Sequence, residues 1–87
     1  MNSEINLAER FNTKLGVRGA AIKIFENLEG DVVLDFEGVE FISRSFAQEY
    51  VFQKHKTKAN IHEINKCEFV EKLLEIVQDD FERICLS

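Results

Sequence analysis

The sequence has no proline and no tryptophan, and only four glycines and two cysteines in 87 residues. Each shortage excludes something. Without proline no element is cut by a fixed φ, so boundaries rest on glycine and on polar capping residues. The two cysteines, Cys67 and Cys85, fit no metal-ligand spacing such as CxxC. Neither a metal centre nor a disulfide framework is expected, and a reducing compartment would keep both as thiols. No apolar run approaches the roughly 20 residues that cross a bilayer, and the start of the chain lacks the charged-then-apolar pattern of a secretory signal. A cytoplasmic protein with no membrane partner is the expectation. Cations are the minority too. Eleven Lys and Arg against 16 Asp and Glu give a formal charge of -5, which repels a phosphate backbone on average and sets nucleic acid aside as a partner.

What is present is an ordinary globular mixture, 45% hydrophobic and 31% charged, so a packed core is expected. A chain this short supports one core, and residues 1–87 read as one domain.

Residues 5–11 alternate loosely, as a weak edge strand does. Over 17–29 the apolar positions Val17, Ala21, Ile22, Phe25 and Leu28 recur at helical spacing, and Gly30 supplies the stop. Residues 31–36 (DVVLDF) hold three consecutive aliphatic residues, which suits a central strand covered on both faces. Ser45 and Gln48 form a capping-box pattern that starts a second helix near Phe46. Its inward face would be Phe46, Ala47, Tyr50 and Val51, and its basic end lies at 54–58, where cations complement the helix dipole. Residues 60–64 read as a short strand. A last helix opens with Asn65 and Glu68 as a second capping box and with Ile64 and Phe69 as a hydrophobic staple; Val70, Leu73, Leu74 and Val77 form its buried stripe. Strand and helix therefore alternate three times, which predicts an α/β layer structure with a short, mostly parallel sheet covered by about three helices.

The run VVLDFEGVEFISRSF over 32–46 resembles the central segment of STAS domains, the fold of anti-sigma-factor antagonists, and more closely the STAS-like family of small prokaryotic domains. Asp35, Phe36, Gly38, Val39, Ser45 and Phe46 carry the resemblance, which extends more weakly over about 5–77. It implies a non-catalytic regulatory domain that binds a protein, with a histidine-kinase-like ATPase as the partner class; no cofactor is expected. Antagonist-type STAS domains are similar in having Asp-Ser-Ser/Thr-Gly at this helix start, with the first Ser phosphorylated. Here Ser43, Arg44, Ser45 and Phe46 stand at those positions, so the usual phosphoacceptor is replaced by Arg44 and a neighbouring hydroxyl, Ser45 or Ser43, is left to serve.

A helix start offers unpaired N–H groups and a positive dipole end, which favours a phosphate or a partner carboxylate. Ser43, Arg44, Ser45 and Glu49 are therefore the candidate partner-binding residues. The plainer alternative makes Ser45 an N-cap and turns Arg44 toward Glu40 or Glu49. Arg18 either pairs with a Glu on its own helix or joins Asp35 in an anion site, while Asp35 alternatively accepts hydrogen bonds in the turn that follows. His55 and His62 have no spacing that suggests a metal site or a nucleophile–base pair, and no glycine-rich phosphate loop or nucleophile elbow occurs. Catalysis is not expected. Two rivals stay open: a nucleotide or anion sensor built from Arg18, Asp35 and the 43–45 turn, and an acidic antitoxin-like partner of a neighbouring gene product. Phe81, Ile84 and Leu86 extend the apolar stripe past Val77, which leads to the expectation of a homodimer through the chain's end.

Overall fold

The elements run β1 (Ser3–Asn6), α1 (Leu7–Arg10), β2 (Lys14–Leu15), α2 (Arg18–Ile24), β3 (Asp31–Asp35), β4 (Phe41–Ile42), α3 (Arg44–Lys56), β5 (Asn60–Ile64) and α4 (Glu68–Cys85). Residues 7–10, expected to continue a strand over 5–11, are thus helical instead, with Asn6 Oδ1 capping them by accepting from Glu9 N–H. This is a computed structural model that describes residues 3–85. Three strands form a parallel sheet in the order β1-β3-β5, and β2 pairs with β4 in a second, two-stranded one. The protein is α/β with a short parallel sheet, as the alternation predicts.

Register explains which residues form the core. Ile5, Leu34 and Glu63 lie level across the three strands, and so do Ser3, Val32 and Ile61. Residues level in a parallel sheet point the same way. Ile5, Val32 and Leu34 are buried, packed with Phe46, Ala47, Tyr50 and Val51 of α3 and with Val70, Leu74 and Val77 of α4 in one cluster. The alternate level, Glu4, Val33 and His62, has its two outer members exposed and Val33 only half-buried. The expected coverage of β3 on both faces is thus corrected. The middle residue of its aliphatic run faces the open side of a one-sided sheet.

Three helix boundaries also differ from those the sequence suggests. Helix α2 ends at Ile24 rather than near residue 29, because Asn27 (φ 60°) and Gly30 (φ 70°) take left-handed conformations that stop it. It buries Ala21 and Ile24, not Val17 and Ile22, which are exposed. Helix α3 is capped by Ser43, not Ser45: Ser43 is extended and its Oγ accepts from the Phe46 N–H at 3.0 Å. Helix α4 starts at Glu68. Asn65 is not its cap but a left-handed turn residue (φ 58°) whose Nδ2 donates to Asp35 Oδ1 at 3.0 Å. The staple pair is open rather than buried, Ile64 being exposed and Phe69 stacked on Phe41 with ring centroids 5.6 Å apart. Among the described residues no helix is long and apolar enough to cross a membrane.

Candidate functional site

The β2–β4 pair brings two distant segments to the start of α3. Leu15 and Ile42 pair level with each other and are buried, which anchors β2 against the strand that leads into the helix. The Ser43 N–H then donates to Leu15 O at 2.9 Å, and Ser43 Oγ donates to Gly16 O at 3.0 Å while it accepts from Phe46 N–H. Ser43 therefore has both hydroxyl functions in use, whereas Ser45, one residue into the helix, is exposed. An exposed hydroxyl is the more accessible acceptor of the two.

This arrangement makes a prediction. Ser43→Ala should cost about 1–2 kcal/mol, the upper part of the range for a lost N-cap, because the bond across to Gly16 goes with it. Ser45→Ala should stay within about 0.5 kcal/mol of the parent. Urea unfolding of the two variants side by side checks the assignment, and equal losses would contradict it.

The two arginines near this turn each meet a carboxylate on another element. Arg44 Nη2 lies 3.1 Å from Asp80 Oδ2 on α4, with both side chains largely exposed, so the sequence-based pairing with Glu40 or Glu49 is not what forms. Arg18 Nη2 lies 3.3 Å from Glu49 Oε1 on α3, and Gln53 Nε2 donates to the other oxygen of Glu49 at 2.8 Å. Exposed pairs of this kind contribute about 0–1 kcal/mol. Their effect is mainly to orient the side chains: Arg18, Glu49, Arg44 and Asp80 form a mixed-charge rim around the first turns of α3. Beyond it, Phe41 and Phe69 stack while staying 43% and 49% exposed.

Asp35 stands apart from that rim. Its Oδ1 accepts from Glu37 N–H at 2.9 Å and from Asn65 at 3.0 Å, and the backbone N–H, followed by the Asn65 amide, holds the carboxyl below its usual value. These contacts tie it to the turn after β3, while Arg18 is engaged with Glu49. The Asp35 and Arg18 proposed for one anion site thus meet different partners.

The residues that sequence reasoning missed sit between α3, β5 and α4. Glu63 points to the covered face of the sheet. There it receives the Tyr50 hydroxyl on Oε2, with Lys54 Nζ 3.2 Å from Oε2 and Lys66 Nζ 3.0 Å from Oε1. Burial raises the Glu63 pKa, but the Tyr50 hydroxyl and the two ammonium groups together outweigh it and leave the carboxyl below its usual value. Burial first and the Glu63 charge second push the Tyr50 phenol well above its own. A cleft of about 200 Å³ opens onto this cluster. Its chemistry is that of a satisfied internal carboxylate, since each Glu63 oxygen already has a donor. The signal in the sequence was a Glu alternating with Ile61 at an inward strand position.

A second opening lies beside β2. It measures about 680 Å³ and is lined by Arg10, Phe11, Lys14, Gly16, Gly19 and Lys23 among others, with no carboxylate in its lining. His55 stacks on Phe81 and meets Gln78, and His62 lies 3.9 Å from Asp31, so both act at the surface. At the chain's end Phe81 is half-buried against Phe52, Ile84 is 79% exposed, and Leu86 lies outside the described residues. Compared with protein-family models, curated proteins and solved structures, the chain has no match.

Proposed function

We propose that this chain is a STAS-like, non-catalytic docking domain that binds a protein at the start of α3, with a histidine-kinase-like ATPase as the partner class. The observation that carries the reading is the composition of the surface around that turn. Arg44 and Ser45 are exposed at the first turn of α3, and Phe41 of the preceding β4 stacks on Phe69 with both rings half-exposed; arginine and aromatic side chains are what the energetic centres of protein interfaces are enriched in. The first turn of α3 carries no acidic residue, so its positive end is open to a partner carboxylate or to a phosphate on Ser45.

The test is calorimetric titration of a purified histidine-kinase-like ATPase, captured from the native cell, into the wild type and Arg44→Ala. A charge-assisted hydrogen bond contributes about 1.5–3 kcal/mol, so Arg44→Ala should weaken binding about tenfold or more. Its melting temperature should hardly move, because only an exposed bridge to Asp80 is lost. Unchanged affinity would move the docking surface away from this turn.

A second reading, a sensor for a nucleotide or another anion, is favoured by one observation. The cleft beside β2 gathers Arg10, Lys14 and Lys23 in a chain of net charge -5. Gly16 and Gly19 open onto it, and a Cβ at either would touch nothing within 4 Å. Its size is in the range of small-ligand sites. Thermal shifts with mononucleotides and with inorganic phosphate separate the readings, since a ligand at 100 times its Kd stabilises by about 2.7 kcal/mol. No shift with either probe would remove this second reading.

A further inference from the structure

We infer that the outer face of α4 is a homodimer interface in which two copies of the helix pack antiparallel, with the two-fold axis passing close to Ile76. The inference goes beyond docking at α3; it shares Phe69 with that surface and otherwise rests on other residues of α4.

At 100° per residue, Phe69, Leu73, Ile76, Asp80 and Ile84 fall on one stripe of α4, next to the stripe of Val70, Leu74 and Val77 that faces the core. Within this stripe Asp80 is held by Arg44 and Phe69 leans on Phe41; the apolar Phe69, Leu73, Ile76 and Ile84 still make the face wider than the core needs. Phe69, Ile76 and Ile84 stay 49%, 52% and 79% exposed. Along an 18-residue helix, these side chains are spread over nearly its whole length, as a partner helix of equal length requires.

What identifies the partner as a second copy is the charge pattern on the flank of this stripe. In chain order that flank reads Glu68, Lys72, Asp79, Arg83. Within the helix it forms two bridges, Lys72 to Glu68 at 3.0 Å and Arg83 to Asp79 at 2.6 Å. A two-fold axis perpendicular to the helices places the same flank of both copies face to face and reverses its order. With the axis at the level of Glu75 and Ile76, Glu68 meets Arg83 of the other copy and Lys72 meets Asp79, and each contact occurs twice. Each end then holds four alternating charges, two bridged within a helix and two across the interface. The same register sets Ile76 against Ile76 at the centre and Phe69 against Ile84 at both ends. Glu75 is level with the axis but turned 100° further from the stripe than Ile76, so the two Glu75 charges point away from each other. A parallel two-fold pairing would instead set this flank against the other edge of the partner's stripe, so the Glu68–Arg83 and Lys72–Asp79 contacts would not form. Opposite charges on such flanks are what set partner and orientation in paired helices.

Sedimentation equilibrium over a concentration series tests this. The wild type should be a dimer, Ile76→Asp a monomer, and Lys72→Glu should weaken association about tenfold or more by opposing Asp79. The fourfold reversal E68K/K72E/D79K/R83E keeps every pairing complementary, so it should dimerise with itself and fail to mix with the wild type. All of these positions are on the surface, and circular dichroism checks that each variant keeps its helices; if Ile76→Asp does not, Ile76→Gln takes its place. A wild-type monomer at roughly 1 mM overturns the inference. So does a dimer that Ile76→Asp and Lys72→Glu leave intact, or a fourfold variant that mixes freely with the wild type. Partner binding by Arg44→Ala is read separately, so failure of the dimer and failure of docking at α3 are distinguishable.

Discussion

Tyr50→Ala is expected to leave the protein at the edge of folding, with a loss of about 3–5 kcal/mol from the core cavity alone. A domain of 87 residues has only roughly 4–13 kcal/mol of stability in total, at 0.05–0.15 kcal/mol per residue. The ring is fully buried and touches three others: Phe25 at 5.3 Å, Phe36 at 6.0 Å and Phe46 at 6.0 Å between centroids. Tyr50→Phe separates the hydroxyl from the ring. It keeps the packing and removes only the donor to Glu63, which should cost about 1.5–3 kcal/mol as a bond to a charged group. Denaturant unfolding of the pair decides. If Tyr50→Phe were as stable as wild type, the hydroxyl would add nothing to the ring. Tyr50 is also the only tyrosine, and there is no tryptophan, so its ionisation can be followed alone by ultraviolet absorbance. Its folded pKa is raised above 10.0, so the neutral phenol's contribution is complete below pH 10 and is lost as pH rises toward the folded value. Native protein should form tyrosinate only well above pH 10, or together with unfolding.

Glu63→Gln should cost about 1.5–3 kcal/mol at neutral pH, because it turns one charged acceptor of three donors into a neutral amide. The sign of the pH effect follows from the depressed folded pKa. Below the unfolded value of 4.5 the unfolded chain takes up a proton before the folded one, so stability falls as pH drops through the lower folded value and is fully present above 4.5. Glu63→Gln has nothing to titrate there. The stability gap between the two proteins should therefore be widest above pH 4.5 and close on acidification. Asp35 is depressed as well and is present in both, so it cancels in the difference. A gap that stayed constant between neutral pH and strong acid would show that Glu63 gains nothing from its charge.

Periodicity and β-branching in the sequence did not determine α1, β2 and β4, the first of which was expected to be strand. They were enough to determine the α/β class, the central β3, the inward faces of α3 and α4 and the parallel sense of the sheet. These features depend on neighbours a few residues apart, whose side chains point to one face whatever the rest of the chain does. Positions whose partner is distant were decided only by the tertiary structure. Ser43 rather than Ser45 caps α3 because Gly16, 27 residues away, presents a carbonyl to it. Asn65 turns back to Asp35 across 30 residues instead of capping α4, and Arg44 reaches Asp80 across 36. The run Val32-Val33-Leu34 looked two-sided because three aliphatic residues in succession satisfy a doubly covered strand. Only the placement of the helices on one face left Val33 on the open side. Glu63 escaped notice because a carboxylate at an inward position is stable only with donors from elsewhere. Those donors arrive when α3 and the loop after β5 close over it.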